Sequence, residues 1–154
     1  EFATPREVKC IYITSSVPSS TITSTFQALE VNTSNLYFVD CISQMISGVV
    51  QQKDRTIYVE SPTVLENIVL KVEYFLRKLG SGPKLVVIDS INSLSIHNDP
   101  KMLSEFLHIL ISNLSTREVY PVILSIGEQT KADIREMLNL VCDQVVTLQN
   151  GQQK

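Results

Sequence analysis

With 154 residues, 44% of them hydrophobic and 19% charged, the chain has the size and composition of one globular domain, able to bury about 70% of its unfolded surface without a disulfide or metal staple. A net charge of −3 and a pI near 5.4 supply no general field for nucleic acid or an anionic membrane, so neither is expected as a partner. No apolar run approaches the ~20 residues of a membrane span and there is no signal-peptide pattern. Cys10, Cys41 and Cys142 are odd in number and lack CxxC or Cys/His spacing. They read as small buried hydrophobes of a reducing cytosol, so the expectation is a cytoplasmic protein without a metal or cofactor.

In chain order, residues 1–7 are expected to be a tag or a flexible N-terminus, residues 8–149 a single domain, and 150–154 a tail. Val8 to Thr14 (VKCIYIT) is β-branched and aromatic and reads as a first strand. Ser19 or Ser20 is expected to cap a helix to about Leu29, a weak one because Thr21, Ile22, Thr23 and Thr25 disfavour helix. LYFVD (36–40) is a second strand, and residues 41–55 a surface excursion with one helical turn. TIYVE (56–60) is a third, peripheral strand. Ser61-Pro62 predicts a capped helix from Pro62 to Leu79, with Leu65, Ile68, Val69, Val72, Phe75, Leu76 and Leu79 on one face. Gly80 supplies its left-handed cap.

Residues 83–93 (PKLVVIDSINS) hold the central feature. Leu85 to Ile88 form an unbroken apolar run suited to a strand buried on both faces, and the strand surfaces at Asp89 and Ser90. An acid at that edge either meets a ligand or, with Ser90 and Asn92 as the other candidates, caps the next helix. Asn98-Asp99-Pro100 starts a helix to about Thr116, apolar on most sides and therefore buried on several faces or bound to a partner. VYPVILSI (119–126) is a buried strand whose first residues Pro121 should hold outside the ladder. Gly127 to Thr130 is a loop, a helix follows to about Val141, DQVVTL (143–148) makes the last strand, and Asn150-Gly151 has the composition of a hairpin turn. The alternation predicts an α/β three-layer sandwich around a mainly parallel sheet of five or six strands.

Chemistry is sparse. No glycine satisfies GxxxxGK[ST] or GxGxxG after a strand, and Gly80 to Lys84 lies before a strand, where it reads as a connector. No GxSxG elbow occurs, and a structural role is the simpler reading of His97 and His108. Asp40, Glu60, Asp89 and Glu128 lie near strand ends, where they could converge on a cation or serve as caps.

From Cys10 to about Leu148 the order of segments resembles the RecA-like core of the archaeal and bacterial KaiC-type ATPases. ITSSVPSST follows the first strand, YFVDCIS ends a strand in Asp40, KLVVIDSINSL matches a Walker B strand at Asp89 and Ser90, VILSIGE resembles a sensor strand at Ser125 and Glu128, and CDQVVTL the closing strand. The resemblance implies a domain of archaeal type without its Walker A loop. It also implies that the catalytic glutamate expected after the first strand is replaced by Ser15 or Ser16, and that ATP is not hydrolysed. With the phosphate-loop strand absent, strands 120–126 and 143–148 should pair directly, giving the flavodoxin-like order 2-1-3-4-5. A phosphoacceptor receiver domain shares that order, but Ser15-Ser16 and Asn150-Gly151 supply neither its acidic pair nor its lysine.

The expected function is that of a non-catalytic module for protein interaction or regulation, with a protein partner or a second copy of itself. The alternatives are a nucleotide or ligand sensor contacting Ser15, Ser16, Asp40, Asp89, Ser125 or Glu128 without hydrolysis, and a fragment of a larger ATPase.

Overall fold

The structure, a computed structural model, describes residues 7–148. It is an α/β sandwich around a five-stranded, all-parallel sheet of order β3-β2-β1-β4-β5. The strands are β1 (Lys9–Thr14), β2 (Leu36–Asp40), β3 (Thr56–Tyr58), β4 (Lys84–Asp89) and β5 (Val119–Ile123). The α-helices are α1 (Ser19–Ala28), α2 (Ser43–Ser47), α3 (Leu65–Lys78), α4 (Ile91–His97), α5 (Pro100–Ser115) and α6 (Ala132–Val141), with a 3₁₀ turn at Gly127–Gln129. No described helix is long and apolar enough to cross a membrane.

The period of two in the strands divides the apolar residues between the faces. Ile11, Ile13, Val39, Val86, Ile88 and Val119 join Phe75, Leu107 and Ile134 in one large core beneath α3, α5 and α6. Cys10, Leu36 and Phe38 form a smaller cluster with Ile22, with Phe26 of α1 also packed against it. Burial pushes the Cys10 thiol up to about 11, so it behaves as packing material.

Several local expectations change. Residues 143–148 form no strand, and Val145, Val146 and Leu148 are exposed. The fifth strand is instead 56–58, which is part of the sheet, paired with β2 at the opposite edge. The β-branched sequence of 143–148 favours a strand, but a strand exists only where an edge accepts it. Pro121 stands inside the ladder opposite Val86. Lys84 N–H donates to Glu118 O and Leu124 N–H to Ile88 O, so even-numbered residues of β5 bond β4 and Pro121 faces outward, where its missing N–H costs nothing. Helix α3 begins at Leu65 rather than Pro62; Pro62 is buried, and its carbonyl accepts from Asn98 Nδ2 at 3.0 Å instead of an N–H of a helical turn. Helix α1 follows Pro18 with no side-chain cap from Ser19 or Ser20.

Other expectations hold. Gly80 adopts φ 68° beyond α3, and Asp99 caps α5, accepting from Met102 N–H at 3.0 Å. Gly80 to Lys84 is a connector, closed by the buried Lys84 ammonium on the carbonyls of Gly80 and Gly82 at 2.5 and 2.8 Å. Asn150-Gly151 and the tail lie outside the described residues.

Leu107 is fully buried and Leu140 85% exposed. Leu107→Ala should cost about 2–5 kcal/mol in urea unfolding, and Leu140→Ala less than about 0.5 kcal/mol.

Candidate functional site

Parallel register brings three polar residues into one row at the carboxyl edge, Thr14 standing opposite both Asp40 of β2 and Asp89 of β4. Each carboxylate is met by protein donors. Asp40 is fully buried. Its Oδ2 accepts from Ser19 N–H at 2.8 Å and Ser43 Oγ at 2.6 Å, and its Oδ1 from Ile42 N–H at 3.0 Å and Ser43 N–H at 2.9 Å. It thus holds the starts of α1 and α2 together. Burial pushes its pKa up, but the bonds from Ser19 and Ser43 prevail and hold it below the usual carboxylate range.

Asp89 takes another route. Tyr12 lies on the same face of β1, and its hydroxyl donates to Asp89 Oδ2 at 2.5 Å. Burial, and then the Asp89 carboxylate, push the Tyr12 hydroxyl well above the usual tyrosine range, so it stays protonated as a donor. The backbone beyond Asp89 is fixed by serines. Ser15 N–H donates to Asp89 O at 2.9 Å, and Ser15 Oγ lies 2.5 Å from Ser93 Oγ. Ser90 caps α4 in a reciprocal capping box with Ser93. Of the candidate caps after β4, Ser90 performs the role and Asp89 is left for Tyr12.

The remaining candidates stand apart. Ser16, Ser125 and Glu128 are exposed, Glu128 within the 3₁₀ turn. Glu60 accepts from Asn67 Nδ2 at 3.1 Å, away from the row. Among the described residues no group of three or more His, Cys, Asp or Glu side chains is placed to hold a metal ion. His97, the last residue of α4, and His108 on α5 are exposed. Sequence reasoning missed Tyr12 and Ser93. Asn92, a candidate cap in the sequence, does not cap α4: it accepts from Ile126 N–H at 2.8 Å and donates to Thr130 Oγ1 at 3.0 Å, tying the loop after β5 to α4. The signal for Tyr12 was its place two residues before the end of a strand next to β4.

Asp40→Asn should destabilise by about 1.5–3 kcal/mol at pH 7, the worth of bonds to a buried charge. Because the folded pKa of Asp40 lies below its unfolded value, its contribution is present above the unfolded pKa and disappears as pH falls through the folded one. In urea titrations the difference between the two proteins should therefore begin to shrink below about pH 4, the unfolded carboxylate range, and vanish only below the folded pKa of Asp40.

A search of curated proteins finds no match to the chain. A family model described as "ATPase: KaiC" matches residues 3–154. With the parallel sheet and the acid at the end of β4, this match places the chain in the KaiC-type ATPase family.

Proposed function

We propose that this domain is a non-hydrolysing KaiC-type module that acts through contacts with other proteins. One observation carries the reading: the acid at the Walker B position, Asp89, accepts the Tyr12 hydroxyl at 2.5 Å, so one of its carboxylate oxygens is already engaged within the protein. Ser15 and Ser16 stand after β1, and a hydroxyl there cannot polarise an attacking water as a carboxylate does. Phosphoryl transfer needs a phosphate cradle, a metal-holding acid and a water-positioning group acting together. In this chain the acid is engaged elsewhere and the residues after β1 are serines.

A second reading, that the chain is part of a larger KaiC-type ATPase, is favoured by the open edge of β5, where strand 143–148 was expected and does not pair. The two readings differ in what ATP does.

Incubated with Mg²⁺ and millimolar ATP, the chain should release no phosphate above a protein-free control. Its melting temperature should be the same with ATP, ADP or neither. Turnover abolished by Asp89→Ala would refute the non-catalytic reading, and a nucleotide-dependent rise in melting temperature that Asp89→Ala removes would replace it with a sensing role.

A further inference from the structure

A helix that packs on a sheet buries one face and ordinarily shows water a polar one. Helix α3 departs from that pattern. Leu65, Ile68, Val72, Phe75 and Leu76 are buried, but Leu70 and Tyr74, one turn apart on another face, are 59% and 50% exposed. Lys78, a further turn on, places its Nζ over the Tyr74 ring, 5.9 Å from its centre. This row runs beside the outer edge of the sheet, where β3 has β2 on one side only. Between helix and edge lies an open cleft of about 390 Å³, with Ile57 of β3 and Phe75 of α3 joining Leu70 and Tyr74 in its lining.

The charge of the cleft runs against that of the chain. Three lysines line it, Lys53 from the segment before β3 and Lys71 and Lys78 from α3, against one acid, Asp54. The chain as a whole has 16 acids and 13 bases. Among the described residues none of the three lysines lies within ion-pair distance of a carboxylate, so their charge faces solvent uncompensated.

We propose that this cleft is the docking site for an acidic peptide segment of a partner protein, one that carries a large apolar side chain among its carboxylates. The proposal deepens the interaction reading above by giving the partner's chemistry. The apolar lining calls for a side chain such as Phe or Leu, whose full burial is worth about 1.5–3 kcal/mol. The lysines call for carboxylates around it. An exposed ion pair adds at most about 1 kcal/mol, so the charges select the sign of the partner and speed its approach while the apolar contact holds it. Nucleic acid fits less well, because its affinity rises with the number of phosphates neutralised, and three lysines beside an aspartate neutralise few. A second copy also fits less well. Its exposed Leu140 on α6 has Glu136 and Asp143 nearby, but Lys131 and Arg135 offset those acids.

The test is the binding of fluorescein-labelled peptides of about ten residues, enough to pass the ~12 Å from Leu70 to Lys78 along α3. The probes are an acidic apolar peptide, EEDFEELDEE, the same peptide with Ser for its Phe and Leu, and one with Lys for every acid; a short oligothymidylate is the fourth. The acidic apolar probe should bind the chain saturably, roughly tenfold or more tighter than the other three, and weaken as salt rises. The double variant Lys71→Glu/Lys78→Glu should invert the preference toward the lysine probe. Leu70→Ser/Tyr74→Ser should weaken the acidic apolar probe by roughly tenfold. Melting temperatures check that both variants fold, and the four probes on the unaltered chain test the proposal independently of them. No saturation by the acidic apolar probe at millimolar concentration, equal binding of the serine probe, tighter binding of the oligothymidylate, or self-association of the chain that Lys71→Glu/Lys78→Glu abolishes would each overturn the proposal. Binding is read without nucleotide, so its failure is separate from any failure of the non-catalytic reading, which the phosphate-release assay decides.

Discussion

A carboxylate at the end of a buried strand must find donors, and that requirement shapes the carboxyl edge of this sheet. Asp40 and Asp89 end strands on either side of β1, opposite Thr14. Removing a charge from water without partners costs several kcal/mol. Asp40 meets the cost with the amides that open α1 and α2, and it thereby sets how the chain leaves β1 and β2. Asp89 is only partly buried, and it pairs with the Tyr12 phenol. Two acids in equivalent positions thus have different fates, one as a fixed anchor for helices and the other in a side-chain pair with Tyr12.

The same edge explains how a KaiC-type sheet is retained while the groups around it serve architecture. Ser15, Ser90 and Ser93 are tied to one another and to the backbone after Asp89, and Asn92 carries the tie to the loop after β5. Hydroxyl groups suit this work because each both donates and accepts. The apolar half of the account lies elsewhere, in the cleft between β3 and α3, where Leu70 and Tyr74 are exposed beside lysines.

The fold class was legible because it depends on short-range patterns. The run Leu85 to Ile88 has the composition of a doubly covered strand, and the spacing Leu65, Ile68, Val72, Phe75 and Leu76 yields the buried face of α3. What escaped depends on tertiary partners. DQVVTL has strand composition, but pairing is decided by the neighbouring edge. Ser61-Pro62 has the composition of a helix start, yet Asn98, 36 residues away, engages the Pro62 carbonyl. Pro121 has the composition of a strand interruption because local sequence does not say which side of the ladder a residue takes. At the site, the sequence marked Asp89, Ser90 and Asp40. The Tyr12 contact spans 77 residues and follows from the register of β1 against β4, which no local pattern encodes.

The most direct test of the central claim is the carboxyl ¹³C signal of Asp89 by NMR, followed as Mg²⁺ is added with and without ATP, with Asp40 as the internal reference. The engagement of Asp89 by Tyr12 predicts that neither signal moves saturably at millimolar Mg²⁺-ATP, and that Tyr12→Phe shifts Asp89 while leaving Asp40 in place. A saturable shift of Asp89 in the unaltered chain, stronger with ATP than with Mg²⁺ alone, would contradict the account and return Asp89 to the role of a metal-holding acid.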